Sequence, residues 1–166
     1  MNPPFRVLWI CTANACRSQI AEAVLGHLGG ERFVSRSAGV SPVGWIHPQA
    51  EIALASLDIR LGDQWSKNCE EVLAVAHDII ITVCDAAACQ IPSGWRGNPI
   101  IVHWGLPDPV MHPGTEEDRR AAAVAVARTL RDWIERLVAL PLETMDRDQA
   151  RAVLQAIGSA RPSGLM

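Results

Sequence analysis

Three short apolar runs, Phe5 to Ile10, Asp78 to Val83 and Pro99 to Val102, are separated by stretches of helical periodicity, and this alternation is what most constrains the fold. Each run is long enough for one buried strand. A fourth, weaker run from Arg32 to Ser37 ends at Ala38-Gly39, and helical stretches cover Ser18 to Leu28 and His47 to Leu57. Apolar strands alternating with amphipathic helices predict an α/β fold: a doubly wound, four-stranded parallel sheet with helices on both faces. Thr115 to Leu140 reads as one long helix. Thr115 offers an N-cap hydroxyl, and Glu116, Glu117 and Asp118 put negative charge in the first turn. Leu130, Trp133, Ile134, Leu137 and Val138 then recur at helical spacing, and Pro141 stops the helix. A last amphipathic helix, Arg147 to Ile157, is expected to end at Gly158. The expected organisation is a single domain over 1–140, a C-terminal helical extension over 141–158 packed on it, and a loose tail over 159–166.

Composition narrows the function classes. With 49% hydrophobic and 20% charged residues the chain is globular, and a net charge of −3 leaves no basic footprint for nucleic acid. Lys67 is the only lysine, an imbalance that genomic base composition accounts for. No apolar run is long enough to span a membrane. Arg6 precedes Val7 to Ile10, and Ala13-Asn14-Ala15 mimics a cleavage site, but the run is too short for a signal peptide and Pro3-Pro4 stand where a basic leader belongs. Five cysteines cannot all pair within one chain, and their positions do not suggest a secreted disulfide framework, so a reducing cytoplasm is expected.

The chemistry points to Cys11-Thr-Ala-Asn-Ala-Cys-Arg17-Ser18, immediately after the first predicted strand. Ligands of open α/β sheets sit beyond the carboxyl ends of the strands. The amides of Thr12, Ala13, Asn14, Ala15, Cys16, Arg17 and Ser18 can converge there on a tetrahedral oxyanion at a helix N-terminus. Arg17 supplies a planar fork for two oxyanion oxygens, and the positive setting favours a thiolate nucleophile. Ser18 can donate its hydroxyl to the Cys11 sulfur. The bare spacing of Cys11 and Arg17 is weak in a chain with five cysteines and many arginines; the preceding strand, Asn14, Ser18 and the following helix add the specificity.

These residues resemble the active-site loop of the low-molecular-weight protein tyrosine phosphatases and of the arsenate reductases that share their fold. The resemblance extends to Ser35-Arg36-Ser37-Ala38-Gly39, Ile81-Thr82-Val83-Cys84-Asp85, His103-Trp104-Gly105-Leu106-Pro107-Asp108-Pro109 and Leu140-Pro141-Leu142-Glu143. It implies that Cys11 is the nucleophile, Arg17 the oxyanion clamp, Ser18 the stabiliser of the thiolate and Asp108 a general acid for the departing oxygen, where the plain alternative is a turn aspartate. It implies that Asn14 and Ser37 brace the loop. The family loop usually carries glycine where Ala13 stands, so Ala13 implies some backbone strain.

Within that superfamily the resemblance leans to the reductases. Phosphatases typically follow the Asp-Pro pair with a tyrosine that stacks on the substrate ring; here Val110 follows and the chain has no tyrosine. Gln19 also resembles the reductases, since the phosphatases tend to carry proline there. Cys84, at the end of a strand, falls on the same sheet edge as Cys11. The resemblance makes it the thiol that resolves the arsenic–sulfur adduct, with Cys89 carrying the disulfide outward. Related enzymes space the relay pair more widely, so a Cys84–Cys89 bridge requires the Ala86-Ala87-Ala88 segment to loop out. The expected substrate is arsenate, with a phosphate ester as the alternative. No bound cofactor or metal is expected, and the reductant is an external thiol: thioredoxin, glutaredoxin or a small thiol. Cys11, Cys16, Cys84 and Cys89 could instead form a four-thiolate zinc site, and a non-catalytic oxyanion sensor is a third reading. Cys16 reads as a wall of the loop or a protective disulfide partner, and Cys69 as structural. Lys67 stands about where some related reductases have a carboxylate that helps bind potassium; either its ammonium replaces the ion or it is a solvated surface lysine. His103 is assigned no chemistry, while Trp45 and Trp95 fall in loops that could border the pocket.

Overall fold

The computed structural model describes residues 2–160. Strands β1 (Phe5–Cys11), β2 (Phe33–Gly39), β3 (Ile79–Thr82) and β4 (Ile100–His103) form one sheet in the order β2-β1-β3-β4. All three pairings are parallel. The helices are α1 (Arg17–Leu28), α2 (Pro48–Ala55), α3 (Asp85–Ala88), α4 (Glu116–Val138) and α5 (Arg147–Ser159). The strands are those expected from the apolar runs, shifted by one or two residues at their ends.

Val7, Leu8, Trp9 and Ile10 are all fully buried. Successive strand residues point to opposite faces, so both faces of the sheet are covered. After β1 the chain first goes to β2 on one side and later to β3 on the other, which makes the carboxyl end of β1 the switch point where α/β sheets open a crevice. The register sets the crevice level. Ile10 lies beside Ala38 and Thr82, and Thr82 beside His103, so the chain leaves β1, β3 and β4 at one height.

Helix ends follow local chemistry. Thr115 and Asp118 form a reciprocal cap on α4, and Asp146 does the same with Gln149 on α5. The α2 helix is shorter than its periodicity suggested, beginning at Pro48 with the His47 ring as its cap and ending at Ala55. No helix among the described residues is long and apolar enough to cross a membrane.

Trp104 joins α5 to the sheet. Its buried indole packs at a tilt against Trp9 at 5.4 Å and edge-on against Trp133 at 5.6 Å, and its Nε1 donates to the Leu154 carbonyl at 2.8 Å. This contact corrects the expected role of Gly158. The helix runs through Gly158 to Ser159, with Ala160 as cap, because the glycine serves close approach: a Cβ there would overlap the Trp104 ring. The expected tail from 159 therefore begins inside α5, and residues 161–166 lie outside the described residues.

A glycine-to-alanine change within a helix is normally favourable by about 1 kcal/mol. Gly158→Ala is expected instead to destabilise by about 1–3 kcal/mol through overpacking, read by denaturant titration. A gain in stability would show that Trp104 does not pack there.

Candidate active site

The loop from Cys11 to Cys16 is shaped from outside by the segment that follows β2. Val40 N, Ser41 N, Val43 N and His47 N donate to the carbonyls of Cys11, Thr12, Ala13 and Ala15 at 3.2, 2.9, 3.1 and 2.8 Å. In a trans peptide the next amide points opposite to its carbonyl, so the amides of Thr12, Ala13, Asn14 and Cys16 turn inward. Gly39 permits the approach: a Cβ there would meet the Thr12 oxygen at 2.7 Å and Asn14 Cβ at 2.9 Å.

Asn14 occupies the centre. It is fully buried and left-handed, with φ +49°. Its Nδ2 donates to Ser18 Oγ at 2.8 Å and Ser37 Oγ at 2.9 Å, and its Oδ1 accepts from Lys67 N at 2.9 Å. Its backbone N–H donates to Cys11 Sγ at 3.2 Å. The bend expected at Ala13 is thus at Asn14, whose side-chain bonds hold an αL conformation that most residues resist. Ala13 is not among the positive-φ residues.

Cys11 Sγ lies 2.9 Å from Ser18 Oγ. Because that hydroxyl already accepts from Asn14, its own proton is free for the sulfur. Arg17, at the start of α1, donates from Nη1 to the Leu106 carbonyl at 2.9 Å and sets Nη2 3.5 Å from Asp108 Oδ2. Asp108 also accepts from Val110 N at 3.0 Å, so the turn reading and the proximity to Arg17 both hold. Cys11, Arg17, Leu106 and Asp108 line one cavity of about 680 Å³, together with Cys84 and an apolar rim of Val43, Trp45, Val110 and Met111. Trp45 borders it; Trp95 does not, and packs edge-on against His77 at 6.4 Å.

Cys84 caps α3, buried, with its Sγ 3.3 Å from Thr12 Oγ1. Cys89 is the cap at the other end and is exposed. Five residues of helical rise separate the two by about 7.5 Å, beyond the roughly 7 Å that a disulfide bridges without backbone movement. A bond between them therefore needs α3 to unwind. All five cysteines are free thiols. Burial first, then Asp108 and Cys11, push the Cys16 thiol up to about 12, and burial followed by Cys11 does the same to Cys69. Both stay protonated. Among the described residues no group of three or more His, Cys, Asp or Glu converges to hold a metal ion.

Glu22 was not singled out from sequence, and His103, Gln19 and Lys67 have contacts there that the sequence did not assign. His103 Nδ1 pairs with Thr82 Oγ1 and its Nε2 with Asp85 Oδ1, both at 2.7 Å, tying the first residue of α3 to β4. Gln19 is fully buried, and its Nε2 donates to the Asn14 carbonyl at 3.0 Å and the Trp65 carbonyl at 3.1 Å. Glu22 accepts from Ser37 Oγ at 2.5 Å. Its signal was visible: it is the one charge in the apolar run Ile20 to Leu25. Lys67 is no solvated surface lysine. It is 4% exposed, its Nζ lies 4.0 Å from Glu22 Oε1, and it donates to the Trp65 carbonyl at 3.0 Å beneath that indole. Burial raises the Glu22 carboxyl and lowers the Lys67 ammonium, each opposed by the other's charge.

A family model described as low molecular weight phosphotyrosine protein phosphatase matches residues 6–151. An arsenate reductase of Halalkalibacterium halodurans is 33% identical over 138 residues, covering 83% of this chain and 95% of that protein. A solved structure, an arsenate reductase in the phosphate binding state, superposes with a TM-score of 0.68 at 26% identity, covering 81% of this chain and 97% of the other. A thioredoxin-dependent arsenate reductase of Corynebacterium glutamicum aligns with a TM-score of 0.57 at 28% identity, covering 82% of this chain and 64% of the other.

Removing the ammonium isolates a buried carboxylate. Lys67→Met is expected to destabilise by about 2–4 kcal/mol at neutral pH. The Glu22 carboxyl already lies above its ordinary 4.5, and losing Lys67 raises it further. A carboxyl raised on folding contributes stability below its unfolded value and loses it as pH rises through the folded value. The Lys67→Met penalty should therefore shrink as pH falls toward 4.5, and adding Glu22→Gln should relieve it at neutral pH. A pH-independent penalty, measured by denaturant titration, would show that the ammonium does not compensate Glu22.

Proposed function

The chain belongs to the low-molecular-weight phosphotyrosine protein phosphatase family, and from that premise we propose that it is an arsenate reductase using an external thiol as electron donor. The observation that carries this reading is Cys84 Sγ held against Thr12 of the Cys11 loop, within the same cavity. Hydrolysis of a phosphate ester has no use for a second thiol there.

Arsenate binds with its oxygens on the inward amides, and Arg17 exchanges its contacts with Leu106 and Asp108 for two oxyanion oxygens. The Cys11 thiolate attacks arsenic: a sulfur–arsenic bond forms, an arsenic–oxygen bond breaks, and Asp108 supplies a proton so that the oxygen leaves as water. The Cys84 thiolate then attacks Cys11 Sγ. A disulfide forms, the sulfur–arsenic bond breaks, and its electron pair stays on arsenic, which departs as arsenite. Thiol–disulfide exchange moves the bond to Cys89 once α3 unwinds, and a thioredoxin-like dithiol or a small thiol reduces it. The ammonium of Lys67 fills the place beside Glu22, making the rate indifferent to potassium. A reducing cytoplasm is the compartment that keeps these thiols free.

The second reading is a phosphatase working through a Cys11 phosphoenzyme. It is favoured by one observation, the Trp45 and His47 rings 5.7 Å apart, which offer an aromatic surface in a chain without tyrosine. Cys84→Ser separates the two. Arsenite formation should fall to background while para-nitrophenyl phosphate hydrolysis persists. Undiminished arsenite production by Cys84→Ser would overturn the relay, and ester hydrolysis by a wild-type protein that forms no arsenite would establish the phosphatase.

A further inference from the structure

An arsenate ion has five heavy atoms, yet the cavity over Cys11 holds about 680 Å³, a size typical of sites for organic molecules of about 300–1,000 Å³. The surplus is apolar. Val43, Trp45, Val110 and Met111 line it, with Trp45 54% and Met111 77% exposed, apolar surface that a ligand in the cavity could cover. The wall is fixed to the oxyanion loop. Val43 N donates to the Ala13 carbonyl, and Trp45 rests on His47, whose ring caps α2 and whose N–H donates to the Ala15 carbonyl. Neither chemistry considered above uses every part. Inorganic arsenate leaves the apolar wall idle, and a phosphate ester leaves Cys84 idle.

We propose that the site also reduces pentavalent organoarsenicals, arylarsonates above all, to their trivalent forms. The activity rests on the reductase reading. The aryl group lies along Trp45 and Met111, and the arsonate, with three oxygens, presents two to Arg17 and one to Asp108. Cys11 sulfur bonds to arsenic, and the third oxygen leaves as water with a proton from Asp108. Cys84 attacks Cys11 Sγ, the sulfur–arsenic bond breaks, and its electron pair reduces arsenic from pentavalent to trivalent while two thiols become a disulfide. The carbon–arsenic bond stays intact, and the external thiol that serves arsenate regenerates the enzyme.

The test compares arsenate, methylarsonate and phenylarsonate as substrates of the reduced full-length protein, with trivalent products separated by chromatography and Cys11→Ser protein setting the background from free thiols. The expected result is a kcat/KM for phenylarsonate about tenfold above methylarsonate, from ring burial. Trp45→Ala should lower the phenylarsonate-to-arsenate ratio by a similar factor. Reduction of arsenate with no enzymatic reduction of phenylarsonate overturns the proposal and leaves the reductase reading standing. Failure with all three overturns both. An equal loss on arsenate and phenylarsonate in Trp45→Ala assigns the wall to the donor protein and overturns the proposal.

Discussion

Asn14 is the interaction on which the site depends. One buried side chain in a left-handed conformation binds Ser18, Ser37 and the Lys67 backbone, while its own amide reaches Cys11. Those bonds orient the Ser18 hydroxyl, bend the loop and join α1, β2 and the segment before Cys69. The network continues through Ser37 to Glu22 and Lys67, so a charge pair beneath the loop supports the residue that holds Cys11. A buried polar network of this kind has value only when every member is satisfied. Here Asn14 has a partner for each of its polar side-chain atoms.

The scaffold and the proposed relay make opposite demands. The four-stranded register fixes Cys11 rigidly at the switch point, with Cys84 two residues beyond the neighbouring β3 and Asp108 in the segment that follows β4. The relay, by contrast, needs a segment able to come apart. The α3 helix suits that need: a single turn of four residues, held at its start by the His103–Asp85 pair and ending in the exposed Cys89. Local opening of so short a helix costs far less than opening the sheet.

Much of this was legible in the sequence. Apolar runs marked the central strands β1 and β3 most clearly because a strand buried on both faces has to be apolar throughout. The edge strand β2, with Ser35, Arg36 and Ser37, gave the weaker run. Caps such as Thr115 marked helix starts because orphan amides need partners. The Cys11–Ser18 loop was legible because a strand, a polar turn and a helix in succession leave few geometries. What stayed hidden depended on distant contacts. Gly158 reads as a helix stop until Trp104 is found against it. The strain attributed to Ala13 belongs to Asn14, whose partners at Ser37 and Lys67 are remote in sequence. Lys67 reads equally as a stand-in for an ion and as a surface lysine until Glu22 is found beside it. Trp45 and Trp95 look alike as loop tryptophans, and only the packing around them sends one to the cavity and the other to His77.

The central claim is that Cys11 attacks arsenic and Cys84 then attacks the Cys11 sulfur of the adduct. Its most direct test is a single turnover of fully reduced protein with arsenate, followed by disulfide mapping by mass spectrometry. The account predicts arsenite released in step with a disulfide containing Cys84, bonded to Cys89 in the wild type and to Cys11 in Cys89→Ser. Arsenite formed while Cys84 remains a free thiol, or a bridge between Cys11 and Cys16 in its place, would contradict it.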